Sequence, residues 1–196
     1  MEHYERSYRK KREIEKALLA LLLQYPYSQI NVTRLAERLG ISRKNFYDYF
    51  SNIDACLYAM IDHVIMEAAI YATSGGADSA DDFQHCIRNL EYWKANAAYL
   101  QVIDQNRLEE VLTERFMRYL ISEDYQTCEK LQTEKVAADA DVLYFFANGI
   151  VGLLLRWYRR GFDTPQEELA EKVCRLLRQP LLRNGAEDLS GVRNFG

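Results

Sequence analysis

Apolar residues recur along this chain at spacings of three and four, with few interruptions, and that pattern predicts helices almost throughout. Ile14, Ala17, Leu18, Leu21 and Leu22 mark a first helix over about 5–24, opened by a basic cluster at Arg6, Arg9, Lys10, Lys11 and Arg12. Tyr25-Pro26-Tyr27 ends it, because proline disfavours helical geometry in the residue before it. Asn31 can cap a second helix over 32–39, Gly40 supplies a turn, and Ser42 can cap a third over 43–49. Ser51-Asn52 breaks the chain before a fourth over 53–71, and Thr73-Ser74-Gly75-Gly76 reads as a flexible loop. Further helices are expected at 82–94, 95–101, 107–121 and 124–133. A long one follows over 136–160, on which Val142, Phe145, Phe146, Gly149, Ile150, Leu153, Leu154 and Trp157 share a broad apolar face. Gly161 stops it. Thr164-Pro165 opens the last helix, with Glu167 and Glu168 near its positive end and Arg175 and Arg178 near its negative end. There is no convincing strand and no internal repeat.

The expected fold is therefore all-α. Residues 1–52 form an N-terminal three-helix head, residues 53–184 a C-terminal helical bundle, and residues 185–196 a flexible tail. With 196 residues, 48% of them hydrophobic, the chain can bury a substantial core. Cys56, Cys86, Cys128 and Cys174 lie far apart, with no CxxC and no histidine at ligand spacing. Neither a disulfide framework nor a metal site is expected, and reduced thiols in a cytoplasmic protein fit better. The charged start, MEHYERSYRKKR, lacks the apolar segment of a signal peptide. The longest apolar run, around Leu143 to Leu155, falls short of the roughly 18 to 20 residues of a membrane span.

Net charge is −4, which argues against a uniformly basic nucleic-acid binder, but the distribution changes the picture. Residues 1–60 carry ten Lys/Arg against seven Asp/Glu, and the rest fifteen against twenty-two. A basic head on an acidic body confines attraction to phosphate to one end. No motif of catalysis accompanies it: there is no Gly-rich phosphate loop, GxSxG or HExxH, and His3, His63 and His85 are scattered. Glu109-Glu110 and Asp81-Asp82 are adjacent pairs that point different ways on a helix. No catalytic residue and no cofactor is expected, and the chain reads as a non-enzyme.

The informative stretch is NVTRLAERLGISRKNFYDYF, Asn31 to Phe50. Its spacing is that of two short helices crossing at Ala36 over a tight turn at Gly40, with Leu35, Leu39, Ile41, Phe46 and Phe50 packing the crossing. The second helix of such a pair fits the major groove. Its outer face offers Arg43, Lys44, Asn45, Tyr47 and Tyr49: arginine and lysine for guanine edges or phosphates, asparagine for adenine, tyrosine hydroxyls for phosphates.

This segment resembles the N-terminal domain of the tetracycline-repressor (TetR) family, over residues 9 to 60. Further on, FANGIVGLLLRWYRRGFDTPQEELAEKVCRLL resembles the C-terminal domain of a subgroup that includes regulators beside dihydroxyacetone kinase genes. The resemblance implies a homodimeric transcription regulator, a repressor by default, that leaves a palindromic double-stranded operator when a small-molecule or protein effector binds. It places Arg43, Lys44, Asn45, Tyr47, Asp48 and Tyr49 on the recognition helix and Thr33 beside a base or phosphate. Ile53 stands where the family usually has a lysine that clamps a phosphate, and Asp48 adds a negative charge. Those two departures keep open an alternative, a helical adaptor or ligand-binding protein of the same shape that does not bind DNA. Dimerisation is expected through the last two helices, at Phe146, Ile150, Leu153, Leu154, Trp157, Val173 and Leu177, with Gly149 and Gly152 permitting close approach. An effector pocket would draw on the aromatic and polar residues of the middle helices, for which His63, Tyr92, Trp93, Tyr99, Tyr119 and Tyr144 are the candidates.

Overall fold

The structure is a computed structural model that describes residues 2–74, 82–122 and 140–178. The described residues are helical, with no strand. In chain order they form α1 (Glu2–Leu22), a 3-10 turn (Tyr27–Gln29), α2 (Val32–Leu39), α3 (Arg43–Tyr47) and α4 (Ile53–Thr73). The body continues with α5 (Asp82–Ala95), α6 (Ala97–Gln105), α7 (Glu109–Leu120), α8 (Ala140–Arg159) and α9 (Gln166–Arg178). The helix expected over 124–133, Gly75 and Gly76 of the expected loop, the first residues of the long helix and the 185–196 tail lie outside the described residues. Thr73 belongs to α4, where its hydroxyl donates back to the Ala69 carbonyl at 3.2 Å, and not to a loop.

In the head, α1 is buried through Ile14, Leu18, Leu21 and Leu22, and α2 and α3 fold onto that stripe through Leu35 and Phe46. Each of these side chains, withdrawn from water, contributes about 1.5–3 kcal/mol to holding the three helices together. α4 starts at Ile53, directly after the break at Ser51-Asn52: Asn52 caps it, accepting from the Ala55 amide at 2.7 Å. One face of α4 meets α1, and others meet α5 and α7, so Leu57, Met60, Ile61, Val64 and Ile65 extend a single apolar cluster from head to body. α8 lies against α6 and α7, and α9 against α5.

α8 is long and apolar enough to cross a membrane by length and composition alone. Its packing accounts for that character differently. Leu143, Ala147, Val151, Leu154 and Leu155 face the body, and Arg159 at its end pairs with Asp104 on α6 (2.5 Å) and Glu109 on α7 (2.8 Å).

Candidate nucleic-acid interface and the junction behind it

The helix-turn-helix is set by local chemistry. Asn31 accepts from the Arg34 amide at 2.9 Å and so fixes the start of α2. Gly40 has φ +65, where a side chain would strain the backbone, and the turn it allows lets the amides of Gly40 and Ile41 close onto the carbonyls of Glu37 (3.1 Å) and Ala36 (3.0 Å). Ser42 then accepts from the Asn45 amide at 3.1 Å and starts α3. A five-residue helix is not stable alone. Phe46 anchors it, fully buried, with its ring against Phe50 at 5.9 Å.

That anchor decides which side chains face out. Arg43, Lys44 and Tyr47 stand exposed on α3, Tyr47 at 47%, and Thr33 is exposed on α2. Asn45 and Tyr49 are half-buried. Asn45 Oδ1 is covered and has no hydrogen-bond partner, and Tyr49 packs against the core. α3 ends at Tyr47, two residues before the expected end, because the chain turns inward to bury Phe50. The outward set therefore holds two cations, a phenol and a threonine hydroxyl, with the exposed Asp48 carboxylate at the end of α3. The cations, the phenol and the hydroxyl can bond base edges and phosphates.

Behind the head lies a cluster that the sequence did not single out as a unit. Arg12 of α1 donates to Glu15 at 2.6 Å and also pairs with Glu67 of α4. His63 Nδ1 sits 2.8 Å from the same Glu15 oxygen, and the Tyr92 hydroxyl of α5 donates to Glu67 at 2.8 Å. Glu15 is 1% exposed, and its other oxygen, Oε1, has no partner. Burial, reinforced by the Glu67 hydrogen bond, raises the Tyr92 phenol above its ordinary range. Burial likewise raises Tyr99, which faces Arg12. Three of the six expected pocket residues, His63, Tyr92 and Tyr99, thus meet at the joint between head and body. A second joint lies at the end of α6: Gln105 donates to the Leu22 carbonyl at 2.5 Å, and Asn106 accepts from the Tyr27 amide at 2.7 Å.

The other three pocket candidates are dispersed. Trp93 is 5% exposed and belongs to the core, and Tyr119 is half-buried on α7. Tyr144 lines an open cleft of about 570 Å³ between α7 and α8, together with Glu110, Glu114, Met117, Asn148 and Arg159.

The residues expected between subunits also divide. Leu154, Trp157 and Val173 are buried within their own chain, at 4%, 3% and 7% exposure. Trp157 Nε1 donates to the Thr164 carbonyl at 2.8 Å, and its ring meets Phe162 edge-on at 4.8 Å. Phe146, Ile150 and Leu153 are half-buried, and the Leu177 side chain lies outside the described residues. The outward face of α8 carries Val142, Tyr144 and Phe145, exposed by 47%, 58% and 67%, with Leu176 of α9 exposed by 49%. Gly149 and Gly152 continue this face, and a β-carbon on either would meet nothing within 4 Å.

Residues 14–60 match the profile described as bacterial regulatory proteins, tetR family, and residues 81–179 match that of a transcriptional regulator C-terminal region. Among solved structures, the chain is similar to the dihydroxyacetone kinase operon activator DhaS, at 21% identity and a TM-score of 0.52, over 85% of this chain and 93% of that one. It is also similar to the fatty acid degradation regulator FadR from Bacillus halodurans, at 17% identity and a TM-score of 0.57, over 88% and 96%. A third likeness is to the TetR family repressor AlkX from a Dietzia strain, at 16% identity and a TM-score of 0.52, over 85% and 94%. At these identities the structures speak for the fold alone. No curated protein sequence gives a match.

Proposed function

This chain belongs to the TetR family of bacterial regulatory proteins, and from that membership we propose that it is a cytoplasmic, non-enzymatic repressor. It holds a palindromic operator as a homodimer and is released when an effector binds the body. The observation that carries this reading is α3. Arg43, Lys44 and Tyr47 project from a short capped helix whose Phe46 is locked inside, as insertion into a major groove requires. Thr33 adds a contact from α2. Asn45 and Tyr49 reach the duplex only if their half-buried side chains turn outward.

One head makes too few contacts for selective binding, and a twofold dimer doubles them. The outward face of α8 supports the pairing: Val142, Phe145, Gly149 and Gly152 form a stripe that leaves room for a second helix, and Leu176 of α9 is also exposed. Ile150 and Leu153, half-buried at its edge, complete the contact. The effector acts on α4, which packs against both α1 and the body helices. An effector that changes operator affinity by a typical five- to 150-fold couples the two sites by about 1 to 3 kcal/mol.

Selection of bound fragments from the source genome tests this reading. It predicts a palindrome with half-sites whose centres are about 34 Å apart, one helical turn of the duplex. Failure to enrich any fragment at low salt would sink it and favour the adaptor reading.

A further inference from the structure

Three of the six lysine and arginine side chains of α1 are committed to carboxylates. Arg9 pairs with Glu5, Lys10 with Glu13, and Arg12 with Glu15 and Glu67. Lys11 and Arg34 are held differently. Lys11 Nζ lies 5.9 Å from the centre of the Phe50 ring, and the Arg34 guanidinium lies 4.4 Å from that of Tyr25. Neither has an acidic partner among the described residues. Arg34 also donates to the Gln29 carbonyl at 3.1 Å, which leaves its other nitrogens available. The two bracket the helix-turn-helix: Phe50 closes it, and Arg34 lies in the first turn of α2 beside exposed Thr33.

A ring and a carboxylate hold a cation with different consequences. The carboxylate neutralises it, so a phosphate must compete for the charge. The ring quadrupole orients it for about 0.5–1 kcal/mol and leaves the charge whole. A cation so oriented also loses less freedom when an anion arrives. We propose that Lys11 and Arg34 are phosphate clamps of the operator complex, pre-positioned on Phe50 and Tyr25. They supply sequence-independent affinity on either side of α3 and act where Ile53 provides no charge. This proposal rests on the DNA-binding reading above.

The test is fluorescence anisotropy of the full-length protein on its selected operator and on an unrelated duplex, from 50 to 200 mM salt. Lys11→Ala and Arg34→Ala should each reduce the slope of log K against log salt by about 0.9 per bound subunit, because one phosphate fewer is neutralised. Affinity should fall by the same factor on both duplexes. Lys11→Arg and Arg34→Lys keep the charge and should keep the slope, which separates lost charge from a damaged fold. Tyr25→Leu removes a ring and no charge, so it should weaken binding with the slope intact. Tight operator binding with the wild-type slope in both alanine variants would overturn the proposal and leave the DNA-binding reading standing. Absence of saturable binding by the wild-type protein at low salt would overturn both.

Discussion

Phe46→Ala isolates the physical basis of the recognition helix. The Phe46 ring is fully buried and touches Phe50, and it is the one buried side chain of the five-residue α3. Its transfer from water is worth about 1.5–3 kcal/mol, and its ring contacts add about 0.5–1.5 kcal/mol. The cavity left behind brings the expected loss to about 3–5 kcal/mol, the usual range for truncating a buried phenylalanine. Tyr47→Ala is the matched control: same helix, next residue, 47% exposed, expected to change stability by no more than about 0.5 kcal/mol. Urea unfolding measures both losses, and hydrogen exchange of the α3 amides locates the first. Phe46→Ala should leave α3 exchanging fast while the amides of α4 to α7 stay protected. Equal losses in the two variants, or a loss below about 1 kcal/mol for Phe46→Ala, would refute the assigned inner and outer faces.

Three further outcomes follow from the joint, the dimer face and the buried phenols. Arg12→Met leaves buried Glu15 with the His63 ring as its remaining side-chain partner and should cost about 3 kcal/mol; a double-mutant cycle with Glu67→Gln in urea should show coupling of at least about 0.5 kcal/mol. Phe145→Glu places a charge in the exposed stripe of α8 and should yield folded monomers in sedimentation velocity, whereas an unchanged dimer mass would remove that stripe from the interface. Burial, and then hydrogen bonds to Asp54 and Glu67, raise the Tyr27 and Tyr92 phenols above their ordinary value of 10.0. The stabilisation they bring is complete below about pH 10 and is lost as pH rises, because the unfolded chain releases those protons first. Melting temperature should therefore fall from about pH 10 upward, and Tyr92→Phe should shrink that fall.

What the sequence revealed was local. Asn31, Gly40 and Ser42 act within four residues of their own position, so the turn and both caps were legible. The end of α3 was not, because two aromatic residues four apart fit a helix as well as a turn that buries both rings. The Arg12–Glu15 contact follows from a spacing of three, but Glu67 lies 55 residues further on, and no periodicity joins them. Trp157 shows a different limit. A helix that is apolar over a broad face has one side for its own chain and another for a partner, and spacing cannot say which is which. The Thr164 carbonyl and the Phe162 ring draw Trp157 inward, while Phe145, on the same apolar helix, stays outside.

The central claim is that the outward side chains of α3 read an operator. Its most direct test is the affinity of Arg43→Ala/Tyr47→Ala for the selected operator, measured alongside subunit mass and unfolding. The account predicts that operator binding falls to the level of unrelated DNA, with dimer and stability retained. Wild-type operator affinity in that variant would contradict it.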